Sequence, residues 1–66
     1  MEFVCHCSVS MYDLGLEADT KANPNITVEA KTKAEAVNKA KGKLTEKYSH
    51  PKTKVKSVVV DLVNKI

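Results

Sequence analysis

From residue 2 to residue 12 the chain alternates. Phe3, Cys5, Cys7, Val9 and Met11 fall on one face, and Val4, His6, Ser8, Ser10 and Tyr12 on the other. A period of two with one apolar face predicts a half-buried strand. Between residues 13 and 25 the alternation stops. Gly15 and the run Asn23-Pro24-Asn25 are turn-forming, so the stretch reads as a long loop. Loops of that length in small domains are often functional. A second, short strand follows over residues 26–30, with Ile26, Val28 and Ala30 inward and Thr27 and Glu29 outward.

The period then changes to that of a helix, over about residues 32–48. Thr32-Lys33-Ala34-Glu35 fits a capping box, in which the Thr32 hydroxyl accepts from the Glu35 amide and the Glu35 carboxylate reaches back to the Thr32 amide. Ala34, Val37, Leu44 and Tyr48, flanked by Ala36 and Ala40, make one apolar face at helical spacing. Glu35, Lys39, Gly42, Lys43 and Glu46 make the wet face, with Glu35 and Lys39 an i,i+4 ion pair. Gly42 is either tolerated at the surface or marks a close approach. Pro51 disfavours helical geometry at His50 and ends the helix.

The last strand, residues 55–63, is β-branched and apolar on both sides. Strict alternation puts Val58, Val60 and Leu62 on one face. Val55, Val59 and Val63 then take the other, interrupted by Ser57 and Asp61. The order is β-β-α-β: an α+β domain with a three-stranded, mainly antiparallel sheet and one amphipathic helix packed on one face. The longest strand, the first, belongs at the centre. The other two are then parallel to each other, and the helix crosses over with right-handed sense. Phe3, Cys7, Val9, Ile26, Val28, Val60 and Leu62 are the expected floor under the helix. One helix cannot cover both sheet faces. The valine row Val55, Val59 and Val63, with Tyr12, is therefore the expected partner surface, taken by a second copy or by a different protein.

Length adds a constraint. Sixty-six residues make one domain, residues 1–66, with a small core. Two cysteines are too few for a disulfide scaffold. No apolar run approaches the ~20 residues that span a bilayer, and residues 1–5 lack the basic-then-apolar layout of a secretory signal. The expectation is a cytoplasmic protein with free thiols and no membrane association.

Charge divides the chain. Residues 1–30 hold one lysine against five acids, and residues 31–66 ten lysines against three, within a net charge of +3. There is no arginine. Base-specific readers favour the planar fork of arginine, so an all-lysine surface suits loose attraction to phosphate better than sequence readout. Lys39, Lys43 and Lys47 on the helix, with Lys52, Lys54 and Lys56 leading into the last strand, form the expected basic patch. Only Phe3, Tyr12 and Tyr48 are aromatic, too few for stacking on single strands.

Candidate chemistry changes little. In a strand Cys5 and Cys7 share a face and His6 points the other way, so the three cannot converge on one metal; the thiols read as core. His6 and His50 have no serine or acidic partner at a recognisable spacing. Asn25-Ile26-Thr27 matches a glycosylation acceptor but reads as a turn into the second strand. Two glycines cannot build a phosphate loop. No cofactor is expected, and an enzyme is not.

The stretch Ile26-Thr27-Val28-Glu29-Ala30-Lys31-Thr32-Lys33-Ala34-Glu35-Ala36, a short strand running into a capped, alanine-rich helix, resembles the small binding proteins encoded by phages and mobile elements, among them anti-CRISPR proteins. The resemblance covers about half the chain and rests on pattern and size. It implies an inhibitor or adaptor that occludes a host protein or nucleoprotein complex such as a CRISPR effector, and it assigns no residue. The alternative is a lysine-rich accessory protein that binds nucleic acid non-specifically through its phosphates.

Overall fold

A computed structural model describes all of residues 1–66. The elements are β1 (Glu2–Asp13), β2 (Ala18–Ala22), β3 (Asn25–Glu29), α1 (Lys33–Tyr48) and β4 (Thr53–Lys65). The fold is α+β with one antiparallel sheet, as the pattern predicts. β1 is central: β4 flanks one side, β2 and β3 the other, and every pairing is antiparallel.

The expected loop over residues 13–25 is corrected. It is a hairpin whose return arm pairs with β1. The register runs unbroken from Val9↔Ala22 to His6↔Asn25, so Cys7 stands opposite Pro24. The Cys7 amide donates to the Pro24 carbonyl at 3.0 Å, but proline has no N–H with which to return the bond. β2 and β3 are therefore one strand nicked at a proline. Only residues 14–17 turn, and Asp13 Oδ1 accepts from the amides of Gly15 (2.8 Å) and Leu16 (3.1 Å) to hold them. Glu17 closes the turn in the left-handed region, φ 53°.

The helix starts as expected: Thr32 is the N-cap, and its hydroxyl accepts from the Glu35 amide at 3.2 Å. The reciprocal half of the capping box does not form, because the Glu35 carboxylate turns instead to Lys39 at 3.3 Å. Gly42 is exposed, with open space where a Cβ would stand, so no close approach requires it. The helix ends at Tyr48, and β4 begins past Pro51.

The core is the inward row of β1 (Phe3, Cys5, Cys7, Val9, Met11), Val28 and Ala30, and the helical stripe Ala36, Ala40 and Leu44. Ala34 is exposed rather than part of that stripe. The long axis measures 39 Å. A helix of 16 residues spans only ~24 Å of it at about 1.5 Å per residue. α1 packs chiefly on β4, touches β1 and β3, and does not reach β2. The hairpin end therefore projects past the helix and carries two exposed leucines, Leu14 and Leu16.

The faces of β4 differ from strict alternation. Its register against β1 slips twice, once between His6 and Cys7 and once between Ser10 and Met11. Each slip inserts one extra residue in β4, Asp61 in the first and Lys56 in the second, the signature of a β-bulge. Val55, Val58, Val60 and Val63 consequently stand opposite Met11, Val9, Cys7 and Cys5 and share their inward face. Leu62, opposite His6, turns outward and is 52% exposed, so it leaves the expected floor.

Candidate functional site: the open face of the sheet

The expected valine row does not exist as one surface. Val55 and Val63 point inward and are half-buried against the core. Only Val59 of the three lies on the open face, 50% exposed opposite Ser8. Leu62 takes its place beside Val59, with half-buried Val4 nearby on β1. Tyr12 is on this face too, at the hairpin end, between Asp19 of β2 and Lys54 of β4.

Polar residues fix the space between these side chains. The Ser8 hydroxyl donates to Asp61 Oδ2 at 2.6 Å, a short bond to a charged acceptor. Asn23's side-chain amide lies 3.3 Å from the same hydroxyl. His6 Nδ1 and Asn25 Oδ1 are 2.8 Å apart, which makes the ring nitrogen the donor. The bulge that turns Leu62 outward also delivers Asp61 to Ser8. Asn23 and Asn25 flank the proline nick. Two irregularities on opposite sides of β1 thus converge on one polar cluster over its middle.

The cluster is a set of paired bonds, not a relay. Ser8 bonds to Asp61 and His6 to Asn25, and no hydrogen bond joins Ser8 to His6 as nucleophile activation requires. No group of three or more His, Cys, Asp or Glu side chains gathers as a metal site. Cys5 and Cys7 face the core at 0% and 2% exposure. Burial pushes both thiols up, and the neighbouring Cys5 and the Asp61 carboxylate raise Cys7 further. A raised thiol is a poor nucleophile at neutral pH.

The lysines expected to form one patch are divided by the sheet. Lys39, Lys43 and Lys47 are exposed on α1. Lys39 is committed: its Nζ lies 3.3 Å from Glu35 and donates to the Glu29 carbonyl at 2.7 Å. Lys47 rests over the Tyr48 ring, 5.9 Å from its centroid. Lys52 lies in the turn before β4. Lys54 stands across from Tyr12 on the open face, and Lys56 pairs there with Asp19 at 3.2 Å. The helix lysines and the β4 lysines thus occupy opposite sides of the molecule.

Sequence reasoning missed Leu62 and the polar cluster. The signal for Leu62 was present: Val55 to Val58 and Val60 to Val63 are each three residues apart, one more than alternation allows. No family model matches the chain, and neither a curated protein nor a solved structure matches it. No helix is long and apolar enough to cross a membrane.

Proposed function

We propose that the chain is a non-enzymatic binding protein and that its contact surface is the open face of the sheet, centred on Val59, Leu62 and the polar cluster. One observation carries the reading: two large apolar side chains stand half-exposed beside hydrogen-bonding groups already locked in place. An apolar centre with a polar surround is the anatomy of a protein–protein contact. A surface ordered in advance loses little conformational entropy on binding. The occupant is a protein; the division of the lysines by the sheet weakens the nucleic-acid alternative. An inhibitor or adaptor directed at a host protein or nucleoprotein complex, of the small kind encoded by phages, is the form of this activity that the chain's size favours.

The test immobilises the wild-type chain and Leu62→Asp, and passes nuclease-treated host lysate over each. Leu62 is outside the core, so the variant keeps its far-UV circular dichroism. A protein held by the wild type, released by Leu62→Asp and recaptured in purified form supports the reading. Identical capture by both chains, or capture that vanishes with nuclease, defeats it.

A further inference from the structure

β4 has a partner on one side only. Its inner edge pairs with β1, and no strand pairs with its outer edge. Its 13 residues span ~40 Å at about 3.3 Å per step, the whole long dimension of the molecule. An unpaired edge of that length is a template for another strand.

The backbone shows which groups face outward. The Ile66 amide donates to the Glu2 carbonyl and the Leu14 amide to the Lys52 carbonyl, whereas the Cys7 amide donates toward β3. Even-numbered residues of β1 therefore direct their hydrogen bonds to β4, and odd-numbered ones away from it. The β4 residues opposite the odd ones, namely Val55, Val58, Val60, Val63 and Lys65, turn their own N–H and C=O groups to the free edge, as does the C=O of Thr53, whose N–H is already taken by the His50 carbonyl at 3.0 Å.

That set is symmetric about Val59, the midpoint of the strand. Reversing β4 on itself there sets Val58 against Val60 and Val55 against Val63, outward group to outward group, and Thr53 against Lys65, where the Thr53 carbonyl is free to accept but its N–H is bonded to His50. The bulges obey the same symmetry: Lys56-Ser57 meets Asp61-Leu62. A bulged strand cannot in general be paired with its own copy, because the extra residues throw the faces out of phase. Here every inward residue meets an inward one. Charge agrees as well. Lys54, Lys56, Asp61 and Lys65 stand opposite Asn64, Leu62, Ser57 and Thr53, so no like charges are opposed, and Lys56 comes beside Asp61 of the other copy. The four inward valines are only half-buried in the single chain and gain the same valines of the second copy as neighbours.

We infer that β4 is the two-fold interface of a homodimer, pairing antiparallel with β4 of a second copy in the register that puts Val59 opposite Val59. This does not rest on the open face having a foreign partner. The isologous arrangement is the commonest route to a closed dimer. It yields one continuous sheet with both helices on the same side.

Light scattering on the wild type reports the state, and substitutions at Val59 report the register. Two residues facing at a pair without direct hydrogen bonds have Cα atoms ~4.5 Å apart, within disulfide range. Val59→Cys is therefore expected to cross-link under mild oxidation, while Thr27→Cys, exposed on the far edge strand, is not; the native thiols are buried and do not compete. Val59→Lys and Val59→Glu are each expected to fall to monomer by like-charge opposition, and an equimolar mixture to regain the dimer mass. A wild-type mass equal to one 7.3 kDa chain at every soluble concentration overturns the inference. So does cross-linking of Val59→Cys no faster than Thr27→Cys, or a dimer that survives in both charged variants.

Discussion

The two faces of the sheet are built from alternate residues of the same strands, yet they carry opposite commitments. Below β1, Cys5, Cys7 and Val9 are closed against Ala36, Ala40 and Leu44, with no buried side-chain polar atom left unpaired. Above it, Ser8, His6, Asn23, Asn25 and Asp61 bond to one another at the surface, and Val59 and Leu62 stand half-exposed. The inner face is where the chain's stability resides. The outer face is ordered without contributing much to it, which leaves it free to be spent on a partner. On β1 the difference is one of composition; on β4, valine-rich on both sides, it comes from the bulges at Lys56 and Asp61, which decide which side of the sheet each residue joins.

Leu44 gives the largest break in that contrast. It is the largest fully buried side chain, and ten residues make up the whole core. Leu44→Ala is expected to cost about 3 kcal/mol. A 66-residue domain at about 0.05–0.15 kcal/mol per residue has roughly 3–10 kcal/mol in all, so this one deletion takes between a third and nearly all of it. The urea midpoint, followed by circular dichroism, is expected to fall in that proportion. A loss near that of a surface substitution would mean that the inner face is not the source of stability.

The buried thiols probe the same face through pH. Burial raises both pKa values, so above the ordinary thiol value of about 8.5 the unfolded chain sheds protons that the native chain keeps. The unfolded state then binds fewer protons, and stability falls as pH rises. The contribution is complete below that value and is lost as pH climbs through the raised native ones. The melting temperature is expected to drop between neutral and strongly alkaline pH, and the drop to shrink in Cys5→Ala/Cys7→Ala. Native-state labelling by a thiol reagent should be slow at both positions.

Much of the inner face was legible in the sequence, because burial imposes a pattern. β1 alternates strictly, since one side must meet the helix. Thr32 announces the helix start by a hydrogen bond that few residue types can make. β2 left no such trace. The helix does not reach it, so Asp19, Thr20 and Lys21 carry no apolar stripe, and its pairing with β1 is not a local property of the segment. The proline at its junction with β3 reads as a turn although the register passes through it unshifted. On β4 the polar residues Lys56 and Asp61 are the bulges themselves. Strict alternation, with Ser57 and Asp61 as mere interruptions of a valine row, sends Leu62 inward and Val55 and Val63 outward, the reverse of their places.

Two mid-sized effects sharpen the comparison from either side. Ser8→Ala removes the hydroxyl that anchors Asp61 and is expected to cost about 1 kcal/mol by chemical denaturation. It should also loosen the Asp61 bulge, seen as faster amide exchange around it. Gly42→Ala acts on the helix back, where nothing opposes a methyl group. It is expected to stabilise by up to about 0.8 kcal/mol, through helix propensity alone.

The smallest expected effect discriminates best. Val60 and Leu62 are two residues apart, and by alternation they share a face and a fate. With Asp61 as an extra residue between them, Val60 stays against Cys7 and Leu62 turns away opposite His6. Val60→Ala is therefore expected to cost about 1 kcal/mol, discounted for its half-burial. Leu62→Ala, though it removes more atoms, should stay within about 0.5 kcal/mol of wild type, as surface substitutions do. Measured side by side in urea, a larger loss for the smaller deletion identifies the bulge without a structure. Equal losses, or a larger one at Leu62, would return Leu62 to the core and make β4 an unbroken strand. The open face would then lose the leucine on which its binding role depends.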